Sequence, residues 1–344
     1  MSDSRLRARA AAALATSALV ATALTACQAD DAVPSASSGS DEPSQVAATS
    51  EAPVPALRLT TSVKKGATDV PVDQAVSVTA QGGTISKVAL VSKAGALQGE
   101  ISGDGSTWKA TDRLEPGTAY TLTTTAEKTD GTPVDRTTTF STQALTLDQQ
   151  TYPSVAPLRG ETVGVGMPVI VTFDVPVTDK ASFEKHMTVT AKPAQSGSWH
   201  WLSDTEAHWR PKTYWKAGSR VHVAVDVNSV DAGNGIYGQE NRDVDFRVGD
   251  AHIYRVNMVT HQMKVFSNGK LLRTIPITTG EQPTYTTRSG TKVIIEKFAS
   301  KDMNSETVGI TGADAYNIEG VQYAMRLTYS GEFIHAAPWS VGYQ

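Results

Sequence analysis

The sequence predicts a mostly β protein: two tandem β-sandwiches followed by a further β-rich segment. Three observations carry that prediction. Short β-branched runs separated by Gly, Pro and Asp clusters fill residues 57–248. A pattern of aromatic and small residues recurs there at a spacing of about 100 residues, the length of one sandwich. Near residue 250 the pattern changes to paired apolar runs around an Asn-Gly turn.

The runs Val76-Ser77-Val78-Thr79, Tyr120-Thr121-Leu122-Thr123-Thr124, Val169-Ile170-Val171-Thr172-Phe173 and Val221-His222-Val223-Ala224-Val225 have the branched side chains that fit a half-buried pleated surface. Trp108 is followed by Gly117, Tyr120 and Leu122, and Trp209 is followed at the same spacings by Gly218, Val221 and Val223. Each copy closes on a strand carrying Phe140 or Phe246. The repeat has the size of an immunoglobulin-like domain, so residues 57–145 and 146–249 read as two such domains. Asn268-Gly269 lies between two apolar runs and signals a tight hairpin, because both central residues of that turn need positive φ. Ile253 to Val259, Val293-Ile294-Ile295-Glu296 and Met325-Arg326-Leu327-Thr328-Tyr329 read as further strands. No amphipathic helix is expected after residue 30.

The N-terminus has a different composition. Arg5, Arg7 and Arg9 precede an uncharged, Ala-rich run from Ala10 to Ala26. That run is short for a membrane span, which takes about 20 strongly apolar residues, and it reads as an export signal. It ends in Leu24-Thr25-Ala26-Cys27, which resembles a bacterial lipobox. Cys27 is the single cysteine of the 344 residues, and the lipobox makes it the residue that carries lipid. Residues 28–56 are rich in Ser, Ala, acidic residues and Pro and have no aromatic residue. They cannot bury enough apolar surface to offset their ordering entropy and read as a disordered linker. The expected location is the cell membrane, lipid-anchored on the extracytoplasmic face, facing the cell wall.

Composition excludes some functions. The net charge is −4, and a basic stripe suited to nucleic acid is missing. No phosphate loop or dinucleotide fingerprint occurs. His200, His208 and His222 have no zinc-ligand spacing and no cysteine partner, so no metal is expected. Asp231-Ala232-Gly233-Asn234-Gly235 reads as a tight turn, not as a cation loop. Trp199, Trp201, Trp209 and Trp215 could form a carbohydrate platform, but packing of the second sandwich and its contact with the next domain is the simpler reading. A lipid-anchored solute-binding protein does not fit, because the expected α/β alternation is missing.

Three stretches of residues 250–344 resemble the YkuD-type catalytic domain of L,D-transpeptidases. The first is the hairpin with Asn268-Gly269, followed by Ile277-Thr278-Thr279-Gly280. The second is Thr287-Arg288-Ser289-Gly290-Thr291-Lys292-Val293, leading to Lys301-Asp302-Met303. The third and most specific is Gly331-Glu332-Phe333-Ile334-His335-Ala336-Ala337-Pro338-Trp339. The tandem sandwiches resemble the paired immunoglobulin-like domains that precede that domain in actinobacterial members, which makes the third part an incomplete YkuD-type domain.

The resemblance implies peptidoglycan cross-linking through a cysteine acyl-enzyme, with stem peptides as substrates, carbapenem-type inhibitors as ligands of the full-length protein, and no cofactor. It makes His335 the catalytic partner of the nucleophile. Met303, Trp339 and Tyr323 become substrate-groove residues, and Val308 and Val321 stand where the family carries lid tyrosines. In the family a Ser/Thr-His-Gly-Cys follows shortly after this His, and residues 336–344 contain none. The chain therefore reads as C-terminally truncated before its nucleophile and inactive alone. The alternative is a non-catalytic envelope lipoprotein that acts as a spacer or wall-binding module.

Overall fold

The computed structural model describes residues 55–281 and 283–343. The export-signal and lipobox readings, and nearly all of the linker 28–56, lie outside the described residues.

In the first sandwich, a sheet ordered Arg58–Thr61, Ser77–Gln81, Thr107–Ala110, Gly99–Ile101 faces one ordered Ala67–Val70, Pro133–Thr142, Ala119–Lys128, Gly83–Ser92, Gly95–Leu97. Along Ala119–Lys128, alternate residues Tyr120, Leu122, Thr124 and Ala126 are buried, as the period of two in a strand requires. They close on Leu59, Val78, Leu90, Trp108 and Phe140.

The second sandwich repeats the plan. Pro153–Ala156, Val169–Phe173, Glu206–Pro211 and Gly197–Trp201 form one sheet, and Thr162–Val163, Arg242–Val248, Arg220–Val225 and Met187–Lys192 form the other. The sequence repeat appears here as register. Tyr120 pairs with Phe140, and Val221 pairs with Phe246. Trp108 and Trp209 are both buried, and each covers a glycine, Gly99 or Gly197, whose added Cβ would intrude on the indole ring. All four tryptophans of the second sandwich pack there. Trp209 stacks on Trp215 at 5.3 Å, Trp201 stacks on Phe173 at 5.6 Å, and Trp199 Nε1 donates to the Met187 carbonyl at 3.1 Å.

The two sandwiches are fastened together at residues 113–115 and 226–229. Arg113 Nη1 donates to the carbonyls of Asp226 (3.0 Å) and Asn228 (3.2 Å). Asn228 Nδ2 donates to Glu115 Oε1 at 2.6 Å. The Ser229 hydroxyl, fully buried, donates to the Leu114 carbonyl at 2.6 Å.

Residues 252–276 form a three-stranded meander of His252–Asn257, Gln262–Ser267 and Lys270–Pro276. Asn268 (φ 47°) and Gly269 (φ 82°) make the expected turn. A second sheet pairs Glu296–Asn304, Asn317–Arg326 and Phe333–Ile334.

Four local expectations are corrected. Val293, Ile294 and Ile295 are not in a strand, which starts at Glu296. A Cβ on Gly166 would lie 3.2 Å from Val293, so this apolar side chain packs against the second sandwich. The first strand of the meander stops at Asn257, whose side chain accepts from the backbone N–H of Val259 and Thr260 and turns the chain. The strand expected at 325–329 ends at Arg326, where a turn from Thr328 to Gly331 begins. Among the described residues there is one short α-helix, Lys180–Glu184; Asp179 caps it and Phe183 anchors it in the core. At one turn and a half it is below the length at which helical periodicity is readable.

Candidate functional site

The site is built on the second small sheet. Asn317–Arg326 pairs with Phe333–Ile334 through Met325↔Ile334 and Arg326↔Phe333, a ladder only two residues long. Past it, the Ala336 N–H donates to the Gln322 carbonyl at 3.0 Å, so the chain carrying His335 stays alongside the longer strand. His335 is exposed, and its ring stacks on Trp339 at 5.9 Å and 25°. Its Nδ1 lies 3.0 Å from the Ala336 carbonyl oxygen. A carbonyl can only accept, so Nδ1 donates in this contact, and in the neutral ring the lone pair is then on Nε2. This is the tautomer a general base needs.

Tyr323 is 73% exposed and takes a left-handed backbone, φ 53°, in the middle of a strand. The ladder is paired on either side of it, Gln322 with Ser300 and Ala324 with Phe298. A bulky residue held in that region marks strain, and strain of this kind clusters at functional sites. Gln322, next to it, holds Ala336, so Tyr323 and His335 lie on neighbouring stretches of chain. Trp339 belongs to the 3-10 turn Pro338–Tyr343 and is half exposed. Met303 is half-buried opposite Ile318, toward the other end of the same ladder. Val321 is buried and pairs with Lys301, so it belongs to the packing of the sheet. Val308 ends the turn Ser305–Val308 with its side chain against Gly331, where there is no room for a Cβ.

Sequence reading missed a charged group beside this site. Lys292 Nζ lies 2.7 Å from Glu332 Oε1, and Arg288 Nε lies 3.5 Å from the same oxygen. Burial pushes the Glu332 carboxyl upward, but the Lys292 hydrogen bond and the charges of Lys292 and Arg288 outweigh it and hold the group below its ordinary value. The only signal in the sequence was one acidic residue within an otherwise apolar motif, with two basic residues four apart upstream.

Of the six remaining histidines, four lie in the second sandwich, and His252 and His261 lie in the meander. His200 faces His208 across the ladder, His208 Nε2 is 2.6 Å from Glu206, and His222 lies between Asp245 (3.0 Å) and Asp243 (3.5 Å). Among the described residues, no group of three or more His, Cys, Asp or Glu could hold a metal ion. The turn expected at 231–235 is only Asn234-Gly235, which joins the short strands Asp231–Gly233 and Ile236–Gly238, and the Gly233 N–H donates to Asp231 Oδ1 at 2.7 Å.

Comparison with known proteins decides the family. L,D-transpeptidase 2 of Mycobacterium tuberculosis (strain CDC 1551 / Oshkosh) is 37% identical over 290 residues, spanning 83% of this chain and 70% of the relative. The chain belongs to the L,D-transpeptidase family. The L,D-transpeptidase catalytic domain model matches residues 251–343, and the bacterial Ig domain model matches residues 67–231. L,D-transpeptidase 5 of M. tuberculosis (strain ATCC 25618 / H37Rv) is 32% identical over 299 residues, covering 85% of this chain and 64% of that protein. Among solved structures, the LD transpeptidase LdtMt1 in complex with imipenem is 34% identical over 56% of this chain and 82% of its own, with a TM-score of 0.48.

Proposed function

We propose that residues 250–344 carry the histidine side of a peptidoglycan L,D-transpeptidase site, with His335 Nε2 as the base that takes the proton of a cysteine thiol. The observation that carries this reading is the Nδ1 contact of an exposed His335 with the Ala336 carbonyl, which in the neutral ring makes Nε2 the basic nitrogen, with the ring stacked on Trp339. A free thiol has a pKa near ~8.5 and needs such a partner to react at neutral pH. The thiolate adds to the amide carbonyl preceding the terminal D-alanine of a donor stem. The C–N bond breaks, the departing amine takes the proton from the imidazolium, and a thioester remains. The side-chain amine of a second stem then attacks the thioester and gives its proton to His335, the C–S bond breaks, and the thiolate leaves as the cross-linking amide forms. Tyr323 and Trp339 would bound the donor groove, with Met303 further along the same sheet.

Residues 1–344 contain Cys27 and no Ser-His-Gly-Cys. The sulfur that His335 would serve is that of the cysteine in such a motif. Reading the coding sequence past the codon for Gln344 tests this, followed by mass spectrometry of the encoded protein with a carbapenem. A one-to-one adduct that slows strongly in His335→Gln supports the assignment. An adduct forming equally fast in that variant sinks it.

We also infer that Cys27 is acylated and holds the protein at the outer face of the cell membrane. Cys27→Ala should move it from the membrane to the soluble fraction, and retention on the membrane would refute the anchor. The second reading, a spacer or wall-binding module, has support from the closed cores of both sandwiches and their hydrogen-bonded junction. It takes over if the gene stops at Gln344.

A further inference from the structure

Residues 277–295 connect the two small sheets, and none of those described belongs to a helix or strand. A connection of that length without regular structure is uncommon in a compact domain and calls for a reason. This one is tied down by side chains. Thr278 Oγ1 donates to Ser340 Oγ at 3.3 Å, and the Tyr285 hydroxyl donates to Asp314 at 2.7 Å. Arg288 Nη2 donates to Ser330 Oγ at 3.1 Å, and Lys292 Nζ donates to Glu332 Oε1 at 2.7 Å. Three of the four partners, Ser330, Glu332 and Ser340, lie within five residues of His335. The connection is therefore a strap laid against the segment that carries the histidine.

Lys292–Glu332 is the most enclosed of these ties, with side chains 19% and 20% exposed. Glu332 Oε2 is buried and has no hydrogen-bond partner among the described residues. Stability alone does not favour such an arrangement, since an apolar pair of similar volume would pack as well or better. Glu332 also stands where fixing matters. It opens the strand Phe333–Ile334, whose two-residue ladder is a weak hold on its own.

We propose that Glu332 is a positioning residue for His335: its ion pair with Lys292 clamps the 277–295 strap onto the entry of the short strand, and the Ala336–Gln322 hydrogen bond fixes the exit. Between those two points the His335 ring is held on Trp339 with Nδ1 on the Ala336 carbonyl. Glu332 touches no substrate and acts only through the strand. This inference rests on the reading of His335 as the base, but it concerns the ring's placement, which can be observed without any reaction.

The test is nuclear magnetic resonance of the histidine Cε1–Hε1 groups in the 344-residue chain. His335 is assigned by its loss in His335→Gln, and Trp339→Leu supplies the unstacked position of its signal. Glu332→Gln and Lys292→Met each remove one charge while keeping most of the side-chain volume. Both should move the His335 signal toward its position in Trp339→Leu. The charge swap Glu332→Lys with Lys292→Glu should return it. Methyl signals of the buried Val321 and Ala324 confirm that the sheet carrying Asn317–Arg326 is folded in each variant, and Lys292→Met serves if Glu332→Gln does not fold.

Single variants that lower the melting temperature but leave the His335 signal in place would overturn the proposal and make the pair merely structural. A signal that moves in the single variants and stays displaced in the swap would overturn it too. The assignment of His335 as base fails separately, through unchanged acylation of a cysteine-bearing chain by His335→Gln, and that result leaves the clamp standing.

Discussion

Residues 57–248 turn their apolar side chains inward, whereas residues 250–343 leave many of theirs in water. In Ala119–Lys128 every second side chain reaches a closed core, and the second sandwich does the same with Arg220–Val225. In Lys270–Pro276 both Leu271 and Leu272 are exposed. Beyond residue 250 only Met263, Val321 and Ala324 are buried apolar residues among those described, while Val256, Val259, Val293, Ile295, Tyr329 and Trp339 are exposed. A sandwich supplies both of its faces and so satisfies itself. The two three-stranded sheets after it are held more by polar ties, such as Lys292–Glu332 and Arg326–Glu296, than by a shared core. One part of the molecule is stable through burial, and the other is positioned through hydrogen bonds and charge.

That contrast can be tested from its largest consequence downward. Amide hydrogen exchange should separate the regions most. Local opening energies run from near zero up to the global stability. Amides of Ala119–Lys128 should exchange near the global limit, and those of Lys270–Pro276 orders of magnitude faster. Equal protection would break the comparison. Next, Trp209→Ala should cost about 3–5 kcal/mol, the usual range for emptying a buried aromatic site. Calorimetry should show the loss in the second sandwich while the first keeps its transition, and a loss below about 1 kcal/mol would mean the stacked Trp209–Trp215 pair is not central to that core.

Acid should act in a graded way. The folded-state pKa of Glu332 lies below its ordinary 4.5, so its contribution is present above that value and fades as pH falls through and below it. Asp104, held at about 2 by the Ser102 hydroxyl and by the Ser106 backbone and hydroxyl, keeps its turn in the first sandwich to lower pH. Spectra recorded from pH 5 to pH 2 should therefore lose signals around 277–295 and 330–336 before those of residues 102–106, and the reverse order would count against the charge-held picture. The smallest effect is expected at Leu272→Ser, within about 0.5 kcal/mol in the described chain because the side chain is already solvated. A large loss there in chemical denaturation would reveal a buried contact for that strand.

What the sequence disclosed depends on how local each cause is. The Trp108 and Trp209 repeat was readable because strand alternation writes core positions at fixed spacings, and the pairs Tyr120↔Phe140 and Val221↔Phe246 follow from it. Asn268-Gly269 was readable because a turn chooses its own residues. Val293 to Ile295 misled, since an apolar run looks the same whether it enters a sheet or belongs to an irregular connection. The histidine motif stood out through many adjacent residues. The Lys292–Glu332 clamp did not, because its partners are 40 residues apart and neither spacing nor propensity links them.

The fastening between the sandwiches has a mechanical consequence. Ser229, Arg113 and Asn228 bridge the joint within a few residues of one another, so the joint yields only when several hydrogen bonds shear together. A tug on one sandwich is then passed to the next as displacement and is not taken up by bending. The pair is therefore expected to act as a strut that carries a load toward the strand His252–Asn257, where the meander begins.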